Sequence, residues 1–242
     1  MPILFDRKTY FDAVRDSLFA GKMAQQQVDG QEFILDIWED TRPEKDIRWL
    51  AYSLATTIHE TASTMWPIEE YGKGKGQPYG VPDPVTGEAY YGRGFVQLTW
   101  KDNYSKMTPI VDPLFPSTAI DLVRQPQQAL EPEVAAAIMY EGMERGNFRS
   151  PNKYATFFST TKDDPYNARD IINGDKKTVP SWSNGVSIGN LIKGYHTNFL
   201  AALKAAQTAV VPVPPVPPEP VPVAMQIEII VPEGVEVVVT RR

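Results

Sequence analysis

Glu60 stands in the run Ile58-His59-Glu60-Thr61, and nine and ten residues further on come Glu69 and Glu70, in Trp66-Pro67-Ile68-Glu69-Glu70-Tyr71. Two carboxylates facing each other across a cleft can hydrolyse a glycosidic bond. One carries a proton for the leaving oxygen, and the other, ionised, activates water. In one unbroken helix, steps of about 100° would put Glu60 and Glu69 on opposite faces. Pro67 disfavours such a helix. The spacing therefore predicts a helix that stops near residues 63–66, after which the chain can bring the second carboxylate back toward the first. Carboxylates at helix ends and in proline-containing loops are also common as plain solvated groups, so spacing alone leaves both readings open.

Other chemistries fit less well. His59-Glu60 opens like a zinc-protease helix, but the partner histidine would fall at Ser63, and the chain has only His59 and His196. No metal and no cofactor is expected. With no cysteine in the chain, a thiol nucleophile, a cysteine zinc site and an iron–sulfur cluster are excluded. Gly72-Lys73-Gly74-Lys75-Gly76 is not followed by the Gly-Lys-Ser/Thr of a phosphate-binding loop. A turn-rich hairpin is expected there. Residues 90–104 mix aromatics closely with Gln97, Thr99 and Asn103. Aromatic faces stack on sugar rings while amides and hydroxyls bond their polar groups. The same composition also suits a packed strand and turn.

Together these segments resemble a known family. His-Glu-Thr at 59–61, a second glutamate nine residues on, Tyr91-Gly92-Arg93-Gly94 running into Gln97-Leu98-Thr99-Trp100 and Asn103-Tyr104, and the later Ile172-Asn173-Gly174 are similar to the family 19 glycoside hydrolases. These are chitinases and related phage endolysins. The resemblance spans about residues 5–206, and Gln27-Val28-Asp29-Gly30 with residues 127–146 is similar to the phage branch. It implies a mainly α, lysozyme-like fold: two helical lobes with a small β-hairpin flanking a substrate cleft. It implies Glu60 as general acid, Glu69 as general base and Thr99 as the hydroxyl that helps hold the attacking water. Gln97, Asn103, Asn173, Tyr91 and His59 take substrate-contacting or supporting places. Glu70 is the alternative base, because a shift of one residue in the turn would exchange it with Glu69. The family often carries Gly-Gly after His-Glu-Thr, whereas Ala62-Ser63 stand here; both are small, and tolerance is expected.

The elements that must position these groups are mostly helical. Residues 9–18 put Tyr10, Phe11, Val14 and Leu18 on one face. Val28-Asp29-Gly30 reads as a break before a second helix at 33–38. Residues 47–61 and 186–206 carry helical spacing. Residues 132–143 form a helix opened by Pro132 and closed by Gly142 or Gly146. Glycines and prolines between 71 and 98 mark a loop or small hairpin lobe.

The chain has 242 residues and a net charge of −6. The acidic balance argues against broad binding to nucleic acid or anionic membranes. Seven of its 22 prolines fall within residues 210–223. This predicts a catalytic domain at 1–207, a semi-rigid polyproline linker at 208–223, and a hairpin tail at 224–242, where two β-branched runs flank Pro232-Glu233-Gly234. The tail is expected to dock or self-associate. Asp6, Arg7 and Lys8 interrupt any apolar leader, and no membrane insertion is expected. The expected role is a peptidoglycan-degrading endolysin of muramidase type, made in the host cytoplasm and acting on the cell wall. The alternatives are a chitinase and a non-catalytic glycan-binding virion module.

Overall fold

Ile47–Glu60 (α3) is apolar on nearly every side: the nine residues from Leu50 to Ile58 are all buried. A helix of this kind belongs in a core rather than on a surface. In the computed structural model, which describes residues 3–209, α3 is the central element. It begins at Asp46, whose carboxylate accepts from the Arg48 N–H. It ends at Glu60, three residues short of the expected stop. Thr61 closes it by donating N–H and hydroxyl to the Thr57 carbonyl.

Around α3 lie Arg7–Leu18 (α1), Gln25–Thr41 (α2), Lys101–Val111 (α4), Pro132–Arg145 (α5), the single turn Tyr154–Phe157 (α6) and Ile188–Ala206 (α7). α3 and α1 pack on α7, while α5 packs against α2 and α4. Strands are short and paired. Ile3–Phe5 (β1) pairs antiparallel with Gln207–Ala209 (β6), Ile68–Glu69 (β2) with Arg93–Gly94 (β3), and Phe158–Ser159 (β4) with Lys162–Asp163 (β5). The expected mainly α class, with helical bodies and a small hairpin beside a cleft, is the observed one. Among the described residues no helix is long and apolar enough to cross a membrane.

Two further details differ from the sequence reading. Gly30 does not break α2. It sits buried inside it, where a Cβ would fall 1.8 Å from the Met65 carbonyl oxygen. The glycine is there to let the chain after α3 cross the helix, a packing need that outweighs its cost of about 1 kcal/mol in a helix interior. Residues 101–104, part of the segment that also suited a packed strand and turn, instead open α4, which runs from Lys101 to Val111 and holds Pro109 within it. Of the two expected caps of α5, Gly146, in the left-handed region, is the one used. Thr208 and Ala209, the first two residues of the expected linker, pair with Leu4 and Ile3. The rest of the expected linker and the hairpin tail lie outside the described residues.

Candidate active site

Two adjoining cavities meet at Glu60. One, of about 290 Å³, is lined by Glu60, Tyr79, Val96, Gln97, Leu98, Thr99, Trp100, Asn103, Phe148, Ile172 and Asn173. The other, of about 420 Å³, is lined by His59, Glu60, Ala62, Ile68, Glu70, Tyr71, Tyr79, Gly92, Gln97 and Thr99. Glu60, Tyr79, Gln97 and Thr99 belong to both. They form the middle of one trough between the end of α3 and the β2–β3 hairpin.

Glu60 reaches the trough because it is the last residue of α3. Its carboxylate pairs with the Arg169 guanidinium. Arg169, 3% exposed, also binds Asp175 through Nε at 2.7 Å and a second nitrogen at 3.0 Å. A buried fork between two carboxylates fixes both in direction. Burial alone would push the Asp175 carboxyl up, but Arg169 outweighs it and holds it below the usual range. His59, half-buried beside Glu60, has its imidazole pushed down by burial, against the pull of the Glu60 charge.

The chain then reverses sharply. Ala62, Ser63 and Met65 all adopt positive φ, at 48°, 66° and 57°. In this left-handed region an L-residue is strained and glycine is not. Small size alone therefore does not settle the Ala62-Ser63 departure; the backbone conformation carries a cost there.

β2 places the two adjacent glutamates differently. Side chains alternate along a strand, and Glu69 pairs with Arg93 while Ile68 pairs with Gly94. Ile68 and Glu70 line the trough; Glu69 lines neither cavity. It faces the other way, accepting from the Tyr91 hydroxyl at 2.6 Å and pairing with Lys73 at 2.6 Å, with Arg93 at 3.9 Å. Lys73 first and Tyr91 second hold the Glu69 carboxyl below the usual range. Glu70 accepts from the Tyr79 hydroxyl at 3.1 Å and from the Gly92 N–H at 3.0 Å, so each oxygen is oriented.

Gln97 crosses the floor of the trough. Its amide donates to the Ile68 carbonyl at 3.0 Å, and it packs so closely on Gly92 that a Cβ there would meet its Oε1 at 2.7 Å. The Thr99 hydroxyl donates to the Gln97 carbonyl at 2.8 Å, which leaves its oxygen free to accept. Asn103 donates to the Thr99 carbonyl at 2.8 Å, tying that turn to α4. Asn173 lines the smaller cavity and donates to Asp175 at 3.1 Å.

Thus the structure brings together Glu60, Glu70, Thr99, Gln97, Asn103, Asn173 and His59. It leaves Glu69 and Tyr91 on the far face of the hairpin. Tyr91 is buried under the Arg93 guanidinium, 3.7 Å from the ring centre, so it supports the hairpin and does not line the trough. Arg169, Asp175 and Tyr79 were not singled out by sequence. Arg169 sits just before the Ile172-Asn173-Gly174 motif, but nothing in its type or spacing marks it as buried.

No family model matches the chain, and no curated protein matches it. Among solved structures it is similar to chitinase C from Streptomyces griseus, at 20% identity over 83% of this chain and 92% of that one, with a TM-score of 0.47. It is also similar to a bacterial family 19 chitinase, at 19% identity over 82% of this chain and 94% of that one, with a TM-score of 0.45.

Proposed function

We propose that the protein is an inverting glycoside hydrolase that cleaves the β-1,4-linked N-acetylhexosamine backbone of peptidoglycan, with Glu60 as general acid and Glu70 as general base. One observation carries this reading. Glu60, from the end of α3, and Glu70, from the hairpin, line one trough with Thr99 and Gln97. In the reaction Glu60 gives its proton to the glycosidic oxygen as the bond to the anomeric carbon breaks. A water attacks that carbon from the opposite face, and Glu70 takes the water's proton. The Thr99 hydroxyl can accept a hydrogen bond from that water while bonded to the Gln97 carbonyl. The product carries the inverted anomeric configuration. Glu69, the base implied by the resemblance, gives way to Glu70 here because of strand parity.

The motifs of residues 59–61, 91–104 and 172–174 support a β-1,4 N-acetyl sugar backbone as substrate. The likeness of Gln27-Val28-Asp29-Gly30 and of residues 127–146 to the phage branch supports an endolysin role in lysis of the cell wall. The test is reducing-sugar release from purified peptidoglycan and from chitin by the unaltered protein and by Glu60→Gln. Release from peptidoglycan that Glu60→Gln abolishes is the expected result. Release from chitin alone would move the reading to a chitinase. Activity that survives Glu60→Gln would remove the acid assignment, and glycan binding without hydrolysis would favour a non-catalytic module.

A further inference from the structure

Among the described residues three large aromatic side chains are exposed: Tyr71 at 76%, Trp100 at 50% and Trp182 at 63%. Isolated exposed rings are ordinary, but these three gather on one feature. Trp100 lines the smaller cavity and Tyr71 the larger. Trp182 comes from a different part of the chain, and its indole meets the His59 ring, centre to centre at 6.4 Å and tilted by 41°. His59 lines the larger cavity beside Glu60. Trp182 itself lines neither cavity; it stands next to them, against His59.

The loop that carries Trp182 is built to hold it there. At its base the Ile188 N–H donates to the Thr178 carbonyl and the Gly189 N–H to the Lys176 carbonyl, both at 2.9 Å. Asp175, where the loop starts, is tied to Arg169 and through it to Glu60. At the tip, buried Ser183 donates its N–H and its hydroxyl to the Pro180 carbonyl, at 3.1 and 2.8 Å. Asn184 and Gly185 turn the chain back at positive φ. The neighbouring side chain is thus buried and bonded while the indole is left open. A large flat apolar face held outward on an ordered loop, next to an acid in a trough, suits the apolar face of a pyranose ring.

We propose that Trp182 is an outer sugar-stacking platform, and that the trough takes an extended N-acetylhexosamine chain running from Trp100 past Glu60 to Trp182. This rests on the glycan-hydrolase reading above and extends it to chain length. A sugar on Trp182 lies outside the reacting bond. It strengthens binding of long chains and leaves short ones unaffected.

The experiment uses the full chain carrying Glu60→Gln, so that ligands survive. Binding of chitin oligosaccharides and of peptidoglycan glycan-strand fragments, from disaccharide to hexasaccharide, is measured by calorimetry with Trp182 intact and with Trp182→Ala, Trp182→Phe and Trp182→Gln. The expected result is a loss of about tenfold in hexasaccharide affinity for the Ala and Gln variants, recovery in the Phe variant and no change for the disaccharide. In the active background, KM for the polymer rises while turnover of short substrates is kept. Equal hexasaccharide affinity with and without the indole would overturn the proposal. So would an equal loss for every chain length, which would mark a structural role. The underlying reading fails in a different way: no oligosaccharide of either series binds, and the unaltered protein releases no reducing sugar from either polymer.

Discussion

The two walls of the trough are made differently. Glu60 stands on α3, the most deeply buried helix, with an Arg169–Asp175 fork behind it. Glu70 stands at the edge of a two-residue strand pair, held by one tyrosine hydroxyl and one backbone N–H. Helix packing fixes the first carboxylate, and a ladder with little core beneath it presents the second. A trough divided this way keeps Glu60 stationary and places any adjustment on the hairpin side. It also means that the supports of the two walls fail differently: loss of the ion pair behind Glu60 costs folding stability, whereas changes on the hairpin side leave the core intact.

The sharpest break of that comparison is at residues 69 and 70. Glu70→Gln is expected to lower turnover by about a hundredfold to ten-thousandfold, the range for loss of a general base, with little change in thermal midpoint. Glu69→Gln should keep most activity, since Glu69 bonds Tyr91 and Lys73 away from the trough. The reverse ranking in steady-state assays would return the base to Glu69.

Next in size is the α3 side. Arg169→Met removes the cation between Glu60 and Asp175, whose side chains are 14% and 24% exposed. The expected loss is about 3 kcal/mol of unfolding free energy, as for a broken buried pair. Denaturant titration checks it, and an unchanged midpoint would mean that the fork does not hold this wall.

The helical body has a pH-sensitive point of similar size. His196, 1% exposed, lies between Tyr52 and Phe158, and Asp163 is 3.5 Å from its Nε2. Burial pushes its imidazole down to about 4, with Arg48 acting in the same direction and Asp163 and Asp46 opposing. The unfolded chain binds a proton near pH 6.5 that the folded one refuses until about pH 4. Stability is therefore full above pH 6.5 and is lost as pH falls toward 4, by about 3 kcal/mol in all. Denaturant titrations at several pH values should show a shallower acid loss in His196→Phe; identical slopes would count against it.

The smallest effect is at the reversal after α3. Ala62→Gly and Ser63→Gly should each stabilise by about 0.5–1 kcal/mol, by removing left-handed strain in excess of glycine's extra chain entropy. A lower thermal midpoint in either variant would show that the turn does not bear that strain.

How much of this could be read in advance follows from what each signal encodes. α1, α3, α5 and α7 carry apolar residues at helical spacing, and that period survives folding. α2 was cut at Gly30 because a helix-breaking residue looks the same whether it ends a helix or lets another segment cross it; only Met65, 35 residues away in the chain, distinguishes the two. α4 was hidden by the aromatics of residues 90–104 and by Pro109. Within the candidate site, Glu60, Gln97, Thr99, Asn103 and Asn173 stand out in the sequence because their motifs are local, and all five line the trough. Which of Glu69 and Glu70 faces the trough is not legible there, since adjacent strand residues face opposite ways and no local residue states which face meets α3. Arg169 and Asp175 escaped because an ion pair with Glu60 joins segments more than a hundred residues apart.

The short ladder between β1 and β6 has a mechanical meaning. Ile3 lies opposite Ala209 and Phe5 opposite Gln207, so the two strands open at the same end. The chain enters and leaves the helical body through one gate. A pull applied through both ends meets the rungs one after another, as in unzipping, instead of all at once. Tension carried along the chain would be spent on this gate, far in sequence from the trough, before it reached the helices that hold Glu60.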